Sequence, residues 1–529
     1  MGLALVAFVF LFRMPNAFLD RELNVDESQF LAQGMKFAED PVPWRAVDGT
    51  GGGPVDSYVV TLFLLAGFKP SYLLVHLLAN AIVSFHVALA YATILRFTHL
   101  ARAVLAVIPI AIMYSFTSNA EFLHYSSELL PVLFLSAGFY QVVVWWTDGA
   151  KSQTPARLAR LFVAGFALGI APWCKLQAAP ITATLGVLVL GSLAANGAPA
   201  RGARERLMCG AAFLGGALIP SAAILTVVVR GGVMHDFWNS YVLQNVVYAG
   251  GWSIEVALKN LRRGCWNAEV YPLVLCNLIA IVYLLTLGHQ RIRAAGRRID
   301  PWQLVAVLAY TGSAFFALCR PALGWLHHAV FVVQPMTCLF GVLIAPMPGF
   351  AMSRPGGARS HRTATGVGCG LIVALVYAVL GLRYVVYADF ALRDRKWDRS
   401  DPSVRIVEEV KGLAKDHPVR SLAIWGWTPA IYVRTGIPPA TRDAIGHYVI
   451  TPGPFVSYFR NRFVRDLRDK MPDVFIDTVS SSQFIWSWTE NDGYESDAEL
   501  KGFIDRNYVL TRQVVLARGS KPVRIFTRR

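Results

Sequence analysis

Two adjacent carboxylates near the amino terminus, Asp26 and Glu27, precede the stretch SQFLAQGMKFA. Apolar residues recur in this stretch at three- to four-residue spacing, at Phe30, Leu31, Gly34, Met35 and Ala38. That spacing predicts an amphipathic helix lying along a membrane surface, with the acidic pair at its positive N-terminal end. An ionised carboxylate there can act as a general base or bind a divalent cation. The alternative is a structural role, in which Asp26 or Ser28 caps the helix.

A second group of chemistry-bearing residues lies in TSNAEFLHYSSELLP, at 117–131. On one continuous helix, Glu121, His124 and Glu128 would share a face at i, i+3 and i+7. A histidine between carboxylates can bind a divalent ion. A solvated loop followed by a glutamate at a helix start is the alternative.

The elements that must position these residues are apolar. The chain has 529 residues, 55% hydrophobic and 16% charged, with a mean hydropathy of +0.44. These values exclude a disordered chain, a coiled coil and an ordinary cytosolic enzyme, and they favour a multi-span membrane protein. Eleven spans are predicted, several of them short, at 2–13, 71–95, 103–116, 128–146, 161–174, 178–195, 207–229, 270–288, 302–319, 329–347 and 367–388. Pro172, Lys175 and Pro180 interrupt the run 161–195, which we interpret as two spans meeting at a tight turn.

The basic residues are concentrated in alternate short loops. They are Arg96, Arg102, Lys151, Arg157, Arg160, Arg201, Arg204, Arg206, Arg291, Arg293, Arg297, Arg298, Arg354, Arg359 and Arg362. The positive-inside rule predicts that these loops and the N-terminus are cytoplasmic, and that 14–70, 230–269 and 389–529 lie outside. The net charge of +16 is then explained largely by basic loops that orient the protein in the membrane. No nucleic-acid partner is therefore expected. The preference for arginine over lysine indicates a GC-rich bacterial genome.

From Ala388 onward the hydropathy falls and a soluble pattern begins. Helices are predicted at 402–415, 455–470 and 497–505, and strands at 421–425, 474–479, 509–517 and 523–527. Alternating helices and strands predict a small α/β domain. The expected domains are a transmembrane domain over 1–388, with its first outer loop at 14–70, and an extracytoplasmic α/β domain over 389–529.

An acidic pair in a first outer loop, after span one and before an amphipathic helix, resembles the signature of the GT-C glycosyltransferases. These multi-span enzymes use polyprenyl-phosphate sugars, and they include the protein O-mannosyltransferases and the lipid A aminoarabinose transferase. Four more segments resemble parts of bacterial members: GGGPVDSY (51–58), KLQAAP (175–180), GWLHHAVFVVQP (324–335) and WGWTPAIYVRTGIPPATR (425–442). The first departs from the Pro-Pro more usual in the family.

The resemblance implies a GT-C-like fold with the catalytic residues Asp26 and Glu27, the base being Asp26. It also implies a further acidic group that serves the acceptor or a metal, for which the candidates are Glu121, His124, Glu128 and Asp56. The implied donor requires cations for its phosphate, whose negative charge grows as the glycosidic bond breaks.

The candidates for donor phosphate binding are Lys175, Arg320, His327 and His328. Alternatives remain open for each of them. Lys175 could only snorkel to the headgroups, and Arg320 could only complement a helix C-terminus. The two histidines could be interfacial residues with satisfied hydrogen bonds.

We therefore expect an α-helical polytopic membrane protein of about eleven spans with a C-terminal extracytoplasmic small α/β domain, located in a bacterial inner membrane among its lipids. The expected function is an inverting glycosyltransferase that moves a sugar from a polyprenyl-phosphate donor to a cell-envelope glycolipid, glycan or protein acceptor. No nucleotide cofactor is expected. The sequence leaves open whether the protein requires a divalent cation. The alternatives are an O-antigen ligase or polymerase-like enzyme, and a lipid-linked sugar transporter or scaffold.

Overall fold

A computed structural model describes residues 1–148, 153–195, 202–288, 300–347, 378–386, 388, 402–416, 418–479, 492–516, 518 and 520–529. Within these residues, seven helices are long and apolar enough to cross a membrane, and shorter apolar helices accompany them. The chain is a polytopic α-helical membrane protein. It divides into two compact units: a helical unit (1–16, 78–222 and 248–392) and an α/β unit (17–77, 223–247 and 393–529).

The described helices follow one another along the chain. They are α1 (Gly2–Ala17), α2 (Val25–Glu39), α3 (Pro54–Leu65), α4 (Tyr72–Leu95), α5 (Leu100–Phe116), α6 (Ala120–Leu123), α7 (Leu129–Asp148), α8 (Thr154–Cys174), α9 (Ala179–Ala194), α10 (Ala203–Arg230), α11 (Met234–Phe237), α12 (Gln244–Tyr248), α13 (Ile254–Cys265), α14 (Tyr271–Tyr283), α15 (Pro301–Cys319), α16 (Val330–Ile344), α17 (Pro402–Asp416), α18 (Ala430–Thr435), α19 (His447–Ile450), α20 (Val456–Lys470) and α21 (Ala498–Asn507). Short 3-10 turns occur at Leu176–Ala178, Leu326–Ala329 and Tyr494–Ser496, and π-helical turns at Trp238–Leu243 and Leu284–Gly288.

Ten of the predicted spans coincide with apolar helices: α1, α4, α5, α7, α8, α9, α10, α14, α15 and α16. The eleventh, 367–388, lies mostly outside the described residues, although 378–386 are helical. The tight turn between the two short spans is present as the 3-10 turn that joins α8 to α9.

The start of α8 differs from the prediction. Arg157 and Arg160 lie in its first turns and not in a loop, because α8 begins at Thr154. Acidic partners allow these arginines to lie within a helix, because Arg157 pairs with Glu205 and Arg160 pairs with Asp148.

Glycines bring α8 and α10 into backbone contact. A Cβ added to Gly165 would lie 2.0 Å from the carbonyl oxygen of Phe213, and one on Gly169 would lie 2.2 Å from that of Ala217. Only a residue without a side chain permits such an approach. This packing fixes the helix whose C-terminal end carries Lys175.

The α/β unit contains a four-stranded sheet with the order β1-β2-β4-β3. Its strands are β1 (Leu422–Trp425), β2 (Val474–Asp477), β3 (Tyr508–Val514) and β4 (Val523–Arg528). β1 and β2 are parallel, whereas β4 is antiparallel to both β2 and β3. Ala423 and Trp425 face one hydrophobic core, and Leu422 and Ile424 face another. The predicted small α/β fold is confirmed.

The environment of α2 differs from the prediction. Ten of its residues are buried, including the polar Ser28, Gln29 and Gln33, whereas Ala38 of the predicted apolar face is exposed. Ala32 belongs to a core of the α/β unit. The helix is therefore enclosed by protein rather than laid on a membrane surface. The domain boundary at 388/389 stays a prediction, because 389–401 lie outside the described residues.

Candidate active site

The acidic pair occupies the first turn of α2, as predicted. The cap is Asn24, whose side-chain oxygen accepts the N–H of Asp26 at 3.1 Å. Neither Asp26 nor Ser28 therefore provides the N-cap. Asp26 and Glu27 are left in the first turn, where the helix dipole stabilises negative charge.

The two neighbouring carboxylates have opposite environments. Glu27 is fully buried, accepts the N–H of Leu23 at 2.8 Å and lies 3.1 Å from Nε2 of His76. Asp26 is partly exposed. Glu27 is thus held in place by its contacts, while part of the Asp26 side chain faces solvent.

Three residues that the sequence reasoning missed lie near this turn. They are His76, which contacts Glu27; Tyr72, whose hydroxyl lies 2.8 Å from Oγ of Ser28; and Arg434, whose guanidinium lies 5.2 Å from the centroid of the Tyr72 ring. An ionisable histidine inside an apolar span signals function or pairing, so His76 could have been found from the sequence. Asp56, in the first turn of α3, is fully buried.

The loop that follows α2 is anchored by polar contacts. Gln33 donates to the Asp48 carbonyl at 3.2 Å and accepts from Ser57 at 2.7 Å. The buried guanidinium of Arg462 lies 2.7 Å from the Asp48 carboxylate and 2.6 Å from that of Asp443. Burial raises the pKa of Asp443 to about 7 against the charge of Arg462, and the nearby Asp48 adds to the rise. These contacts hold the loop beside α2.

A second polar cluster lies within the helical unit, at the ends of α7, α8 and α16. Glu128 is fully buried and accepts a hydrogen bond from Lys175, whose Nζ also lies 2.8 Å from Oγ of Ser127. Nε2 of His328 is 3.6 Å, and Nε2 of His327 is 3.9 Å, from Oε1 of Glu128. The Lys175 side chain is only 16% exposed, so it pairs with Glu128 rather than snorkelling.

The predicted shared helix face of Glu121, His124 and Glu128 does not form, because α6 ends at Leu123 and His124 is its C-cap. The chain nevertheless gathers all three side chains around His327. Nδ1 of His327 lies 2.6 Å from Glu121, and its ring centroid lies 5.4 Å from that of His124. Burial would raise the pKa of Glu121, but the hydrogen bond and charge of His327 outweigh it and lower that pKa.

The described contacts of Arg320 do not involve Glu128, Lys175 or the two histidines. It is the C-cap of α15 and donates to the Ala249 carbonyl. This position fits the alternative of a cation at a helix C-terminus.

Three groups of this second cluster are also suited to a metal. The ligand atoms of Glu128, His327 and His328 all lie within 4.8 Å of one another, and all three residues are buried. Two imidazoles and a carboxylate form a donor set typical of zinc.

Solved structures resemble the whole chain. ArnT from Cupriavidus metallidurans in the apo state covers 99% of this chain and 97% of its own, at 13% identity and a TM-score of 0.58. The chain has the GT-C fold. ArnT bound to undecaprenyl phosphate gives the same coverage at 12% identity and a TM-score of 0.59.

A second GT-C protein is also similar. An Archaeoglobus fulgidus oligosaccharyltransferase tethered with an acceptor peptide covers 97% of this chain and 72% of its own, at 11% identity and a TM-score of 0.51. No protein-family model and no curated protein matches the sequence. At these identities the similarity establishes the fold, and it confirms the GT-C-like fold expected from the sequence.

Proposed function

We propose that this GT-C protein is an inverting glycosyltransferase that moves a sugar from a polyprenyl-phosphate donor to a cell-envelope glycolipid, glycan or protein acceptor on the outer face of a bacterial inner membrane. The observation that carries the proposal is the contrast at the start of α2. A partly exposed Asp26 lies at the positive end of a buried helix, next to a Glu27 held by Leu23 and His76.

The chemistry requires one base and one stabilised leaving group. Asp26 takes the proton of an acceptor hydroxyl, and the hydroxyl oxygen attacks the anomeric carbon in line. The bond between that carbon and the donor phosphate oxygen breaks, and polyprenyl phosphate leaves with the bonding electron pair. A single in-line displacement inverts the anomeric centre. Glu27 acts as a positioning residue for the turn that presents Asp26.

The leaving phosphate requires cations aimed at it. Lys175, His327 and His328 are the proposed donor-site residues, and their common cluster supports this assignment. Arg320 is a weaker candidate because its guanidinium is engaged at the Ala249 carbonyl. The similar structure of ArnT bound to undecaprenyl phosphate supports a polyprenyl-phosphate lipid as donor.

The orientation follows from the distribution of basic loops. We propose a cytoplasmic N-terminus, with the segments 14–70 and 389–529 outside. Asp26 would then act on substrates in the outer leaflet.

The test is a transfer assay with purified protein and a panel of labelled polyprenyl-phosphate hexoses and pentoses, with envelope extract as acceptor. Asp26→Asn should lower the rate by about 100- to 10,000-fold without changing the unfolding midpoint. Asp20→Asn is the matched control, because Asp20 is an exposed acid of the same loop and should retain the wild-type rate.

Full activity of Asp26→Asn would exclude the assigned base and favour a ligase or polymerase-like enzyme. Movement of a labelled donor across liposomes without any transfer would favour a transporter. Mass spectrometry of envelope glycans from a deletion strain would identify the sugar and the acceptor through the missing residue.

A further inference from the structure

A cleft between α7, α9 and α15 lies at the end of α7 that is opposite to the Glu128 cluster. Its volume is about 530 Å³, including the part that is open to the surroundings. The lining comes from these three helices and from the residue after Arg96, and it includes Phe97, Trp145, Leu185, Leu188, Val189 and Trp302. We propose that this cleft binds one anionic phospholipid, with an acyl chain between the helices and the headgroup phosphate at Arg96 and Arg160.

The lining of the cleft is suited to a hydrocarbon chain. Aliphatic and aromatic side chains make up most of it, and the polar exceptions among the described lining residues are Thr147, Ser192 and Gln303. Binding sites of this kind are concave and mostly apolar, with a few polar groups that fix the orientation of the ligand. Because α7, α9 and α15 are long and apolar enough to cross a membrane, the apolar molecules that surround them in a bilayer are lipid chains.

The tryptophans of the cleft differ from a simple aromatic belt at the membrane surface. Trp145 is 1% exposed, whereas Trp302 is 38% exposed. The ring of Trp146 lies between them, with centroid distances of 5.8 Å to Trp145 and 5.1 Å to Trp302. The three rings therefore extend from the protein interior to the rim of the cleft.

Trp145 provides an independent observation. Its Nε1 is buried and has no hydrogen-bond partner among the residues that the structure describes. A buried indole N–H usually finds an acceptor. A phospholipid has ester carbonyls between its phosphate and its acyl chains, and such a carbonyl can accept this N–H.

The mouth of the cleft carries an excess of positive charge. Arg96 and Arg160 share the carboxylate of Asp148, and the three side chains are 27–32% exposed. Nε of Arg96 also donates to Oγ1 of Thr147 at 3.0 Å, and Thr147 lines the cleft. Two guanidinium groups and one carboxylate leave one positive charge beside the apolar lining. Basic pockets between spanning helices bind anionic headgroups, and arginine holds phosphate through parallel hydrogen bonds.

The cleft is separate from the proposed donor site. The 20 residues of α7 span about 30 Å and lie between Glu128 at one end and Asp148 at the other. Arg96 and Arg160 belong to the basic residues that the positive-inside rule places at the cytoplasmic face, so the lipid comes from the inner leaflet. This choice of leaflet rests on the proposed orientation, whereas lipid binding does not depend on transferase activity.

The experiment is native mass spectrometry of the purified, delipidated full-length protein in detergent. The protein is titrated with phosphatidylglycerol or with phosphatidylcholine that has the same acyl chains. One phosphatidylglycerol per chain should bind at least about 5-fold more tightly than phosphatidylcholine. Phosphatidylglycerol with a photoreactive acyl chain should label peptides of α7, α9 and α15.

Charge variants should shift the affinity in opposite directions. Arg96→Gln and Arg160→Gln should each lower the affinity for phosphatidylglycerol about 5-fold, whereas Asp148→Asn should raise it about 5-fold. A purely structural ion pair predicts a loss of stability in all three variants and no change in lipid affinity. Arg204→Gln is the matched control, because Arg204 is an exposed arginine at the start of α10 and its variant should bind lipid like the wild type.

A second pair of variants tests the apolar part of the cleft. Ala306→Phe places a ring in the cleft, because Ala306 is one of its lining residues, and should lower the affinity for phosphatidylglycerol about 10-fold. Val305→Phe is the control, because Val305 on the same helix is 47% exposed and lies outside that lining. Unfolding midpoints identify any variant that fails to fold.

Equal affinity for the two lipids, or wild-type affinity in Arg96→Gln, Arg160→Gln and Ala306→Phe, would overturn the lipid site. A dimer that Ala306→Phe dissociates would assign the cleft to a second copy of the chain. Displacement of phosphatidylglycerol by an equal concentration of undecaprenyl phosphate would assign it to the donor lipid, and either result also overturns the proposal. Selective binding of phosphatidylglycerol by a protein without transferase activity would leave the lipid site standing and remove the proposed function alone.

Discussion

The start of α2 in the α/β unit and the Glu128 cluster in the helical unit both place a carboxylate near the end of a helix, in opposite surroundings. Asp26 is partly exposed, whereas Glu128 is fully buried and faces Lys175, His327 and His328. A buried charge is stable only with compensating partners. The Glu128 carboxylate is therefore compensated by the ammonium of Lys175, whereas the Asp26 carboxylate at the start of α2 keeps contact with solvent.

The largest effect on stability is expected at Glu128. Glu128→Gln leaves the ammonium of Lys175 without its opposite charge, and breaking such a pair costs about 3–5 kcal/mol. An SDS titration in mixed micelles measures this loss of unfolding free energy. The double variant with Lys175→Met should recover part of it, and an undiminished stability of the single variant would contradict the compensation argument.

A buried ionisable group without an opposite charge should make stability depend on pH. His447 is largely buried against Trp427 and Tyr448, and burial lowers its pKa from 6.5 to about 4. As the pH falls from 6.5 to 4, the unfolded chain takes up the proton first, so stability is lost across this window. The loss approaches about 3 kcal/mol at pH 4.

Unfolding midpoints between pH 4 and 7 test this effect. His447→Gln should flatten that part of the profile, and an equally steep profile in the variant would assign the acid sensitivity to other groups.

Substitution of the two adjacent carboxylates of α2 should have contrasting effects, one mainly on stability and the other mainly on transfer activity. Glu27→Gln disturbs a buried acceptor of the Leu23 N–H and of His76 and should cost about 1–3 kcal/mol. Asp26→Asn should change stability by less than about 0.5 kcal/mol while abolishing most of the transfer. Parallel unfolding and transfer assays measure both, and a reversed pattern would move the base from Asp26 to Glu27.

A modest and local effect is expected at Ser57, whose hydroxyl donates to Gln33 beside the anchored loop. Ser57→Ala should cost about 1 kcal/mol and reduce protection of the loop amides in hydrogen exchange. Unchanged exchange at Asp48 and its neighbours would show that the hydrogen bond from Ser57 to Gln33 does not help to anchor the loop.

Local patterns predicted the fold well. Apolar runs located ten of the spans, and the prolines around Lys175 marked the turn between α8 and α9. The strands and helices of the tail also follow their sequence periodicity. The start of α8 was missed because charge alone suggested a loop, although Glu205 and Asp148 neutralise its arginines.

The candidate sites were only partly predictable. The first-turn position of Asp26 and Glu27 follows from local sequence, but the burial of α2 depends on distant hydrogen-bond partners. The contact of His327 with Glu121 joins residues 206 positions apart. No spacing rule relates such residues, so the metal-like arrangement became visible only in three dimensions.

Ala32 of α2 shares a core with Ile431 and Tyr432 of α18, about 400 residues later in the chain. A ribosome adding about 5–20 residues per second needs roughly 20–80 s to make that interval. Throughout this time the helix that carries Asp26 lacks its final neighbours, although several spans have already been translated. The surroundings of α2 are therefore completed only late in biosynthesis, after most of the chain has been made.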